Sequence, residues 1–511
     1  MARPGFVLDV DDRTPPVLVA SGDTFRLERL PVGARVVYPA DSLPAVHAAE
    51  AIAAALDQPV GSDPLSARLR PGMRLTITFD DNTVPVPAMV GPDLRAKIIE
   101  AVLSRAAAAG VDDVALVAGI GLNRRQSPGE LRQLVGERVF RSFHADGLLV
   151  NHDAEDVDEL VEVGSSGSLA VAINKRVAES DLVVHVHLVT AHVGNGAAAV
   201  LDGLGSATTL AALHGADVDP ALEERAADLL ASTVPLFSVE AVLDADVFPE
   251  PLGFLAKREW EWTVKDQARW FGLRRGTAAV TSAKLRRRIL GRLAAPWHAI
   301  GVTGGDPAAV AAASAELVLG QQQVSVTGQA DVAVVGVPSL GPYSVDAPTN
   351  PVVAAWTGLG SILGAHTGRP VVRPGGAVIL FHPLGSDFSP LYHPSYVDFF
   401  AETLSATTDP AQISADFEKK FATDPWYAHL YRTSHAFHGL HPVHRWYEIA
   451  RATRDLGDVV WVGADRANAE RLGFRAASTL ADALEIVSSA VGRSPQISYL
   501  HTPPRLVVDV Q

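Results

Sequence analysis

Four histidines lie close together in the segment HVHLVTAHVGNGAAAVLDGLGSATTLAALH, which covers residues 185–214. His185 and His187 are two positions apart in an apolar run, so on a β-strand their side chains point to the same face. His192 follows that run shortly before a glycine turn, and His214 ends a stretch of small residues. Imidazole nitrogens bind metal ions or transfer protons, and the N–H groups of a glycine turn bind anions. The segment therefore predicts a metal or phosphate site with acid–base chemistry, and a structural, hydrogen-bonded histidine is the alternative at each position.

Two further polar loops carry groups that suit a ligand site. The loop DDNTVPVP begins with Asp80 and Asp81 and contains Thr83, whereas the loop GIGLNRRQ contains Arg124 and Arg125. The carboxylates could bind a ribose, a metal ion or only the backbone of their own turn. The two arginines stand just before a predicted helix N-terminus, which favours an anion.

The elements that must position these loops follow an alternating pattern. Apolar runs rich in valine and isoleucine alternate with alanine-rich helical stretches, a pattern typical of parallel strands covered by helices. The pattern predicts strands at residues 74–81, 113–119 and 181–189, and helices at residues 93–110 and 127–136. Ser127 and Glu130 predict a capping box at the start of the second helix. Each polar loop directly follows one of the strands, and ligands of such folds bind at the carboxyl ends of strands.

The pattern restarts at residues 298–317 with a strand, a glycine turn and a helix. This restart predicts an α/β fold made of two α/β lobes with largely parallel sheets and a cleft between them. The N-terminal domain would cover residues 1–294 and the C-terminal domain residues 295–511, and the end of the chain can pack back on the first lobe.

The composition restricts the class of ligand. The 511-residue chain has a formal net charge of −15, which disfavours a nucleic-acid groove or an anionic membrane surface because both attract basic side chains. The chain contains no cysteine, so it offers neither a thiol nucleophile nor a zinc-thiolate site. It also lacks a signal-peptide-like start and any uncharged apolar run of about 18 residues. We therefore expect a cytoplasmic protein with a small-molecule substrate and without nucleic-acid or membrane partners; its oligomeric state stays open.

The order of these motifs resembles the nickel-pincer nucleotide-dependent lactate racemase family. D-D-x-T-x-P-x-P follows a strand, and G-x-G-x-x-R, S-x-x-E-L, NHD, the histidine strand, the glycine turn and a distant histidine come after it. VRPGGAVILF (372–381) and RLGFRAASTLADALEIV (471–487) extend the resemblance loosely into the second lobe. The resemblance implies nickel held by two sulfurs and a carbon of a pyridinium-derived nucleotide and by one protein histidine. It also implies that the nucleotide takes a hydride from the 2-carbon of a hydroxy acid and returns it to either face, while histidines move the hydroxyl proton.

Several residues of this chain match the site of that family. The resemblance makes His214 the nickel ligand and His187 one acid–base histidine. It places the cofactor against Asp80, Asp81, Thr83, Arg124, Arg125, Gly194, Asn195 and Gly196.

Other positions depart from the family pattern. The arginine that holds the cofactor phosphate is replaced by Val84, and the lysine that tethers the nucleotide by Ala197 or Ala198, so we expect a noncovalently held nucleotide. The second acid–base histidine is replaced by Asn123, whose amide can orient a hydroxyl but cannot accept its proton. Water, His192 or His152 would then have to complete proton transfer on that face.

The second lobe departs as well, because Val353 and Trp356 stand where the family has polar groups that grip the substrate. We therefore predict a divergent isomerase, a racemase or epimerase of a 2-hydroxy acid or sugar acid larger than lactate, with Trp356 as an apolar wall of the substrate site. A noncatalytic or differently catalytic relative that binds a small molecule or nucleotide is the first alternative. A dinucleotide-dependent oxidoreductase, suggested by GVTGGDPAAV (301–310), is the second, although the full G-x-G-x-x-G pattern is absent.

A second histidine cluster, HAFHGLHPVHRW, places histidines at positions 435, 438, 441 and 444. Pro442 is expected to interrupt a helix through this segment. A solvated or loop-packing cluster is favoured over a separate zinc or nickel site.

Overall fold

The computed structural model describes residues 2–84, 87–191, 196–280, 282, 285, 293–339 and 349–511. Its strands and helices alternate along most of the chain, and the strands form two large and two small sheets. Most strand pairs are parallel, so the predicted α/β class with largely parallel sheets is confirmed. No helix within the described ranges is both long enough and apolar enough to cross a membrane.

The first large sheet carries the histidine strand. Its six strands lie in the spatial order Ala299–Gly305, Leu236–Leu243, Leu182–Val189, Arg74–Asp80, Asp113–Gly119 and Leu149–Asn151. Neighbouring strands are parallel, except that Ala299–Gly305 pairs antiparallel with Leu236–Leu243. The three strands predicted at 74–81, 113–119 and 181–189 are thus adjacent, which brings the loops at their carboxyl ends to one edge of the sheet.

The second large sheet has nine strands. Seven of them lie in the order Phe6–Asp9, Arg35–Tyr38, Ile497–Leu500, Ala330–Pro338, Val372–Phe381, Asp458–Val462 and Arg475–Ala477. The hairpin of Val17–Gly22 and Thr24–Glu28 joins this sheet through Ala330–Pro338. The small sheets comprise Gln323–Val326, Val507–Val510 and His366–Gly368 in one case, and Leu160–Ser166 with Leu169–Asn174 in the other.

Each large sheet takes strands from both sides of residue 295. Strand Ala299–Gly305 completes the first sheet, and the strands between Phe6 and Tyr38 belong to the second. The division into domains 1–294 and 295–511 stays a prediction, but hydrogen bonding between strands does not follow that division.

Helices pack against both large sheets, and the central strands are buried along nearly their whole length, in agreement with their continuous apolar runs. The α-helices are Ala48–Asp57, Leu65–Arg68, Leu94–Ala108, Pro128–Val135, Glu137–Phe143, Lys175–Ala178, Gly196–Leu204, Ala207–Leu213, Pro220–Thr233, Val264–Ala279, Pro307–Gln322, Pro351–Ala355, Pro394–Asp398, Leu404–Ala406, Pro410–Ile413, Lys419–Thr423, Pro425–Thr433, His441–Thr453, Arg466–Arg471 and Leu480–Val491. Short 3-10 turns occupy Val157–Glu159, Glu250–Ala256 and Glu259–Glu261, and π-helical segments occupy Trp356–Leu363, Phe399–Thr403 and Ser414–Glu418.

The capping box predicted for the helix Pro128–Val135 is present. The Ser127 hydroxyl accepts a hydrogen bond from the Glu130 N–H at 3.3 Å, and the Glu130 carboxylate accepts one from the Ser127 N–H at 2.8 Å. These bonds satisfy helix N–H groups that have no partner within the helix.

The loop after strand Asp113–Gly119 packs unusually close to the helix Gly196–Leu204. Gly121 has a φ of +46°, and its N–H donates to the carbonyl of Gly203 at 2.8 Å. A Cβ atom at position 121 would lie 2.0 Å from the carbonyl oxygen of Asp202. Only glycine therefore fits where this loop meets that helix.

Gly121→Ala is expected to lower the free energy of unfolding by about 1–3 kcal/mol, because the loop or the helix must move to admit the methyl group. The matched control is Gly129→Ala, since the nearest atom to a Cβ there is 4.0 Å away within a helix. Alanine at position 129 should leave stability unchanged or raise it slightly. Urea unfolding midpoints measure both effects, and equal midpoints for the two variants would contradict the close packing described.

Candidate active site

A buried carboxylate–imidazole pair lies at the carboxyl edge of the first sheet. Asp80 ends strand Arg74–Asp80, and His187 lies on the adjacent strand, Leu182–Val189. The Nδ1 of His187 is 2.8 Å from Oδ1 of Asp80, and the Leu188 N–H donates to Oδ2 of Asp80 at 2.7 Å. Both side chains are only 12–13% exposed. The carboxylate therefore orients the imidazole and leaves Nε2 as the ring nitrogen available to another group.

The electrostatics of this pair follow from its burial and its short separation. Burial lowers the pKa of His187, but the nearby charge of Asp80 outweighs that effect and raises the pKa to about 9. Burial conversely raises the pKa of Asp80, and the charge of His187 outweighs it and lowers that pKa. The pair therefore favours its charged forms, a carboxylate at Asp80 and an imidazolium at His187.

His185 lies on the same face of the strand as His187, as the period of two predicts. Its Nδ1 is 2.9 Å from the hydroxyl of Thr78, and its ring centre is 5.9 Å from that of His187. Burial lowers the pKa of His185 to about 4. The Nε2 atoms of both histidines are buried and have no hydrogen-bond partner among the described residues. Asp80, His185 and His187 each offer a metal-ligand atom within 4.8 Å of the other two.

The loop after Asp80 is held largely by its own hydrogen bonds. The Asp81 carboxylate accepts from the Thr83 N–H at 2.8 Å and from the Thr83 hydroxyl, while Arg95 donates to the Asp81 carbonyl at 2.5 Å. Burial raises the pKa of Asp81 to about 6. Its second carboxylate oxygen is buried without a partner in the described parts of the chain. The turn geometry that was the alternative for this motif is present, and cofactor binding by Asp81 and Thr83 stays a prediction.

The two arginines predicted to bind an anion differ in how firmly other groups hold them. The Arg124 guanidinium donates to Glu130 at 2.6 and 3.1 Å and stacks over the ring of Tyr392 at 4.7 Å. Arg125 lies 3.7 Å from Asp153 and is 27% exposed at its side chain. Because Glu130 compensates the charge of Arg124, Arg125 is the more suitable of the two arginines to bind an anion.

Asn123 contacts His441, which lies more than 300 positions later in the sequence. Its amide oxygen is 3.1 Å from Nε2 of His441, and Nδ1 of His441 is 2.7 Å from the hydroxyl of Tyr396. Burial holds the pKa of His441 well below its usual value. His441 is therefore a neutral imidazole beside the amide. The spacing of the second histidine cluster gave no signal for this contact.

His214 is the C-cap residue of helix Ala207–Leu213, and its Nε2 lies 3.1 Å from a carboxylate oxygen of Asp202. Burial lowers the pKa of His214, but the charge of Asp202 outweighs burial and raises it. The ring centre of His214 is 5.6 Å from that of His444. The predicted nickel ligand thus lies between a carboxylate and a second imidazole.

Trp356 contacts the same helix that supplies His444. Its indole N–H donates to Glu448 at 2.5 Å, and the Arg445 guanidinium stacks over its ring at 4.3 Å. Helix His441–Thr453 therefore brings three predicted site residues, Asn123, His214 and Trp356, around one element.

Some predicted cofactor residues can be placed and others cannot. His192, Gly194 and Asn195 lie outside the described residues. Gly196 begins a helix, and a Cβ at this position would lie 2.5 Å from the carbonyl oxygen of Pro307, so this glycine is required for close packing. Its predicted contact with the nucleotide stays a prediction.

The second histidine cluster is mostly buried. His438, His441 and His444 are at most 5% exposed, so they are not solvated, whereas His435 is half-buried. Pro442 does not interrupt the helix, because it occupies the first turn of His441–Thr453, where a missing N–H costs nothing. His152, considered above for proton transfer, is buried, and its Nε2 is 2.9 Å from the carbonyl of Gly205. Burial lowers the pKa of His152 to about 4.

The glycine turn after strand Ala299–Gly305 is engaged by the protein itself. The Asp306 carboxylate accepts hydrogen bonds from the N–H groups of Ala308 and Ala309, both at 3.1 Å. A Cβ on Gly305 would lie 2.1 Å from the carbonyl oxygen of Val60. These contacts use the first-turn donors that a pyrophosphate would need.

The first part of the chain is similar in sequence to known proteins. Residues 29–224 match the model of the lactate racemase N-terminal domain. A lactate racemase of Lactiplantibacillus plantarum is 26% identical over 191 residues, which are 36% of this chain and 42% of that protein. The matched region thus spans less than half of the curated relative.

A solved structure shares the fold over nearly the whole chain. The lactate racemase apoprotein of Thermoanaerobacterium thermosaccharolyticum superposes with a TM-score of 0.64 and 15% sequence identity, covering 96% of this chain and 99% of that chain. At this identity the superposition establishes the fold alone. Residues 29–224 are thus similar to a lactate racemase N-terminal domain, and the chain shares the fold of a lactate racemase apoprotein over nearly its whole length.

Proposed function

We propose that the protein is an isomerase that racemises or epimerises a 2-hydroxy acid or sugar acid larger than lactate. The observation that carries this proposal is the buried Asp80–His187 pair, whose Nε2 has no partner among the described residues, within a lactate racemase-like domain. Such a nitrogen is placed to exchange a proton with a substrate hydroxyl.

The Asp80 carboxylate has two effects on His187. The hydrogen bond to Nδ1 keeps that nitrogen protonated and directs Nε2 away from the carboxylate. The negative charge also stabilises the imidazolium, which is the form that donates a proton back to the substrate oxygen. His187 would therefore act as the proton-transferring residue and Asp80 as its positioning residue.

Asn123 supplies a polar group of a different kind. An amide neither accepts nor donates a proton at pH 7, but it can orient a hydroxyl. Its carbonyl already interacts with His441. Asn123 would thus help to position the substrate rather than to transfer its proton.

The described residues fit the nickel end of a nickel-pincer nucleotide. His214 offers an imidazole that the Asp202 carboxylate orients, and imidazole is a suitable ligand for nickel. His214 would hold the metal and Arg125 the phosphate, with Asp81 and Thr83 lining the nucleotide. When bound, the nucleotide would supply the remaining nickel donors and the group that accepts a hydride from the 2-carbon.

The substrate preference follows from residues around helix His441–Thr453. Val353 is buried and apolar, and the indole of Trp356 is fixed by Glu448 and Arg445. Neither side chain carries a positive charge that could bind the carboxylate of a small substrate. The indole instead offers a flat apolar surface. A substrate with a longer carbon chain would gain more from this wall than lactate would.

The proposal is tested with full-length protein produced in a host that makes the nickel-pincer nucleotide. Enantiomers of lactate, longer 2-hydroxy acids and epimeric sugar acids are incubated separately, and the product isomers are separated by chiral chromatography. We expect turnover of at least one larger acid and little or none of lactate. Robust lactate racemisation would contradict the proposed preference. Loss of all turnover despite bound nucleotide would instead favour the alternative of a noncatalytic, nucleotide-binding relative.

A further inference from the structure

The loop that carries Asn123 is held at its backbone by residues from the last quarter of the chain. The Gly121 carbonyl accepts a hydrogen bond from the Tyr431 hydroxyl at 2.6 Å. The Leu122 carbonyl accepts one from the backbone N–H of His438 at 3.1 Å. These contacts fix the backbone next to Asn123 without using its side chain, so the rotation of the side-chain amide depends on other contacts.

The oxygen of the Asn123 amide is engaged by the protein, whereas its nitrogen is accessible to a ligand. The oxygen lies 3.1 Å from Nε2 of His441, and no residue in the described part of the chain accepts a hydrogen bond from the nitrogen. Asn123 is partly exposed. The strand before its loop ends at Gly119, which pairs with Asp80, so the loop begins at the sheet edge that carries the Asp80–His187 pair.

The ring of His441 is held in place by two aromatic residues. Its Nδ1 lies 2.7 Å from the Tyr396 hydroxyl, and the ring of Phe437 stacks on it with 4.6 Å between the ring centres. His441 is only 4% exposed, and burial holds its pKa well below the usual value. The ring is therefore neutral, with one nitrogen that donates a hydrogen bond and one that accepts.

Two proton positions are possible for a neutral ring between a hydroxyl and an amide. If the Tyr396 hydroxyl donates to Nδ1, the ring proton lies on Nε2, which then donates to the Asn123 oxygen. If the proton lies on Nδ1, Nε2 needs the Asn123 nitrogen as its donor. Because the amide oxygen, which only accepts, is the atom next to Nε2, the first arrangement applies. The Asn123 NH2 group then points away from His441.

We propose that His441 and Tyr396 are positioning residues, which fix the Asn123 amide so that its NH2 group donates a hydrogen bond to the oxygen on the 2-carbon of the substrate. His441 and Tyr396 act through Asn123 and do not contact the substrate themselves. This inference rests on the proposed function and deepens it, because it assigns the atom of Asn123 that binds the substrate and the residues that orient it.

A fixed N–H donor suits the change that this oxygen undergoes. In the proposed reaction the hydride leaves the 2-carbon for the nucleotide, the hydroxyl proton leaves for a neutral His187, and the carbon and oxygen form a carbonyl. A hydroxyl oxygen donates and accepts hydrogen bonds, whereas a carbonyl oxygen only accepts. The Asn123 N–H can therefore bind the oxygen in both states. A preorganised donor of this kind also stabilises negative charge that develops on the oxygen as its proton leaves.

The position of the proton on His441 tests the inference without nucleotide or substrate. In the full chain labelled with nitrogen-15 histidine, two-bond proton–nitrogen correlation spectra distinguish the Nε2–H from the Nδ1–H tautomer, and His441→Gln identifies the His441 signal by its loss. We expect the Nε2–H tautomer in the wild-type protein near neutral pH. Tyr396→Phe, which keeps the ring but cannot donate to Nδ1, should show a mixture of tautomers. An Nδ1–H tautomer in the wild type would overturn the inference.

Turnover of the best substrate found for the wild-type protein is the second measurement. Asn123→Leu, which has a similar volume but no amide, should lower kcat by about 10²- to 10³-fold, the usual effect of losing one preorganised donor. Tyr396→Phe and His441→Leu should lower kcat at least about tenfold, because the amide is no longer held in one orientation. His441→Gln should recover much of that loss, since its own amide can donate to Asn123. Wild-type kcat in folded Tyr396→Phe and His441→Leu variants would contradict the positioning role.

Tyr499→Phe is the matched control, because it removes a different buried tyrosine hydroxyl, which donates to the Leu18 carbonyl at 2.5 Å. This variant should keep both the wild-type tautomer of His441 and the wild-type kcat. Circular dichroism checks that every variant is folded. The tautomer is measured without any reaction, so failure of the isomerase assay leaves that result standing. An Nδ1–H tautomer in an active isomerase would instead refute this inference and leave the proposed function intact.

Discussion

Replacing His187 with asparagine is expected to lower isomerase turnover by about 10²- to 10⁴-fold, the usual contribution of a positioned acid–base group. The asparagine amide can occupy the space near Asp80 but cannot carry a proton between the protein and a substrate hydroxyl. The measurement is the initial rate of isomer exchange with the best substrate found for the wild-type protein. The effect should appear mainly in kcat, because the imidazole is needed for the chemical step.

Two further variants distinguish proton transfer from a structural role. Asp80→Asn should also reduce kcat while His187 remains in place, because the imidazolium loses the charge that stabilises it. His47→Asn should retain wild-type turnover, since that side chain is exposed and remote from the described site residues in sequence. Wild-type kcat in a folded His187→Asn variant would rule out the assigned role.

Removing the Glu259 carboxylate is expected to give the largest loss of stability, about 3–5 kcal/mol for Glu259→Ala. This carboxylate is buried and accepts hydrogen bonds from the Leu18 N–H at 2.6 Å, the Tyr38 hydroxyl at 2.8 Å and His501 at 2.9 Å. Alanine would leave all three donors buried without an acceptor. Urea unfolding followed by tryptophan fluorescence measures the change, and a loss below about 1 kcal/mol would contradict it.

Glu261→Ala is the matched control, because Glu261 lies two positions away and pairs with Arg3 nearer the surface. Its loss should cost no more than about 1 kcal/mol, as is usual for surface ion pairs.

The Glu259 site should also make stability depend on pH. Burial raises the pKa of Glu259, but the neighbouring His501 outweighs burial and lowers it below the usual 4.5. A carboxyl group with a lowered pKa in the folded state contributes stability above the pKa of the unfolded state and loses it as the pH falls through the folded-state pKa. The wild-type protein should therefore lose its advantage over Glu259→Ala on acidification below about pH 4.5. A stability difference that stays constant through that range would contradict the assigned electrostatics.

The arginine loop contains a contact that its sequence did not predict. Arg124 precedes a helix N-terminus, as an anion-binding residue would, but Glu130 of the capping box reaches it at 2.6 Å. The same carboxylate also accepts from the amide of Asn82 at 2.7 Å. The capping box was predictable from the spacing of Ser127 and Glu130. The additional contacts of Glu130 with Arg124 and Asn82 depend on how the loops that carry these two residues fold toward the helix.

The sequence alone determined the features that depend on short-range periodicity. The alternation of side chains along Leu182–Val189 predicted that His185 and His187 lie on one face of the strand. The polar loops that follow the apolar runs predicted the edge of the sheet at which Asp80 contacts His187. These predictions hold because strand period and helix capping depend on residues only a few positions apart.

Only the tertiary structure decided which distant elements complete the site. It placed helix His441–Thr453 against Asn123, His214 and Trp356, and it added strand Ala299–Gly305 to the first sheet. Segments hundreds of positions apart pair and pack because the whole chain buries its apolar surface. An apolar segment can bury its surface against many others, so the local sequence does not show which segment it will contact. The contact between the rings of His214 and His444 is therefore created by the fold from two histidines that lie far apart in the sequence.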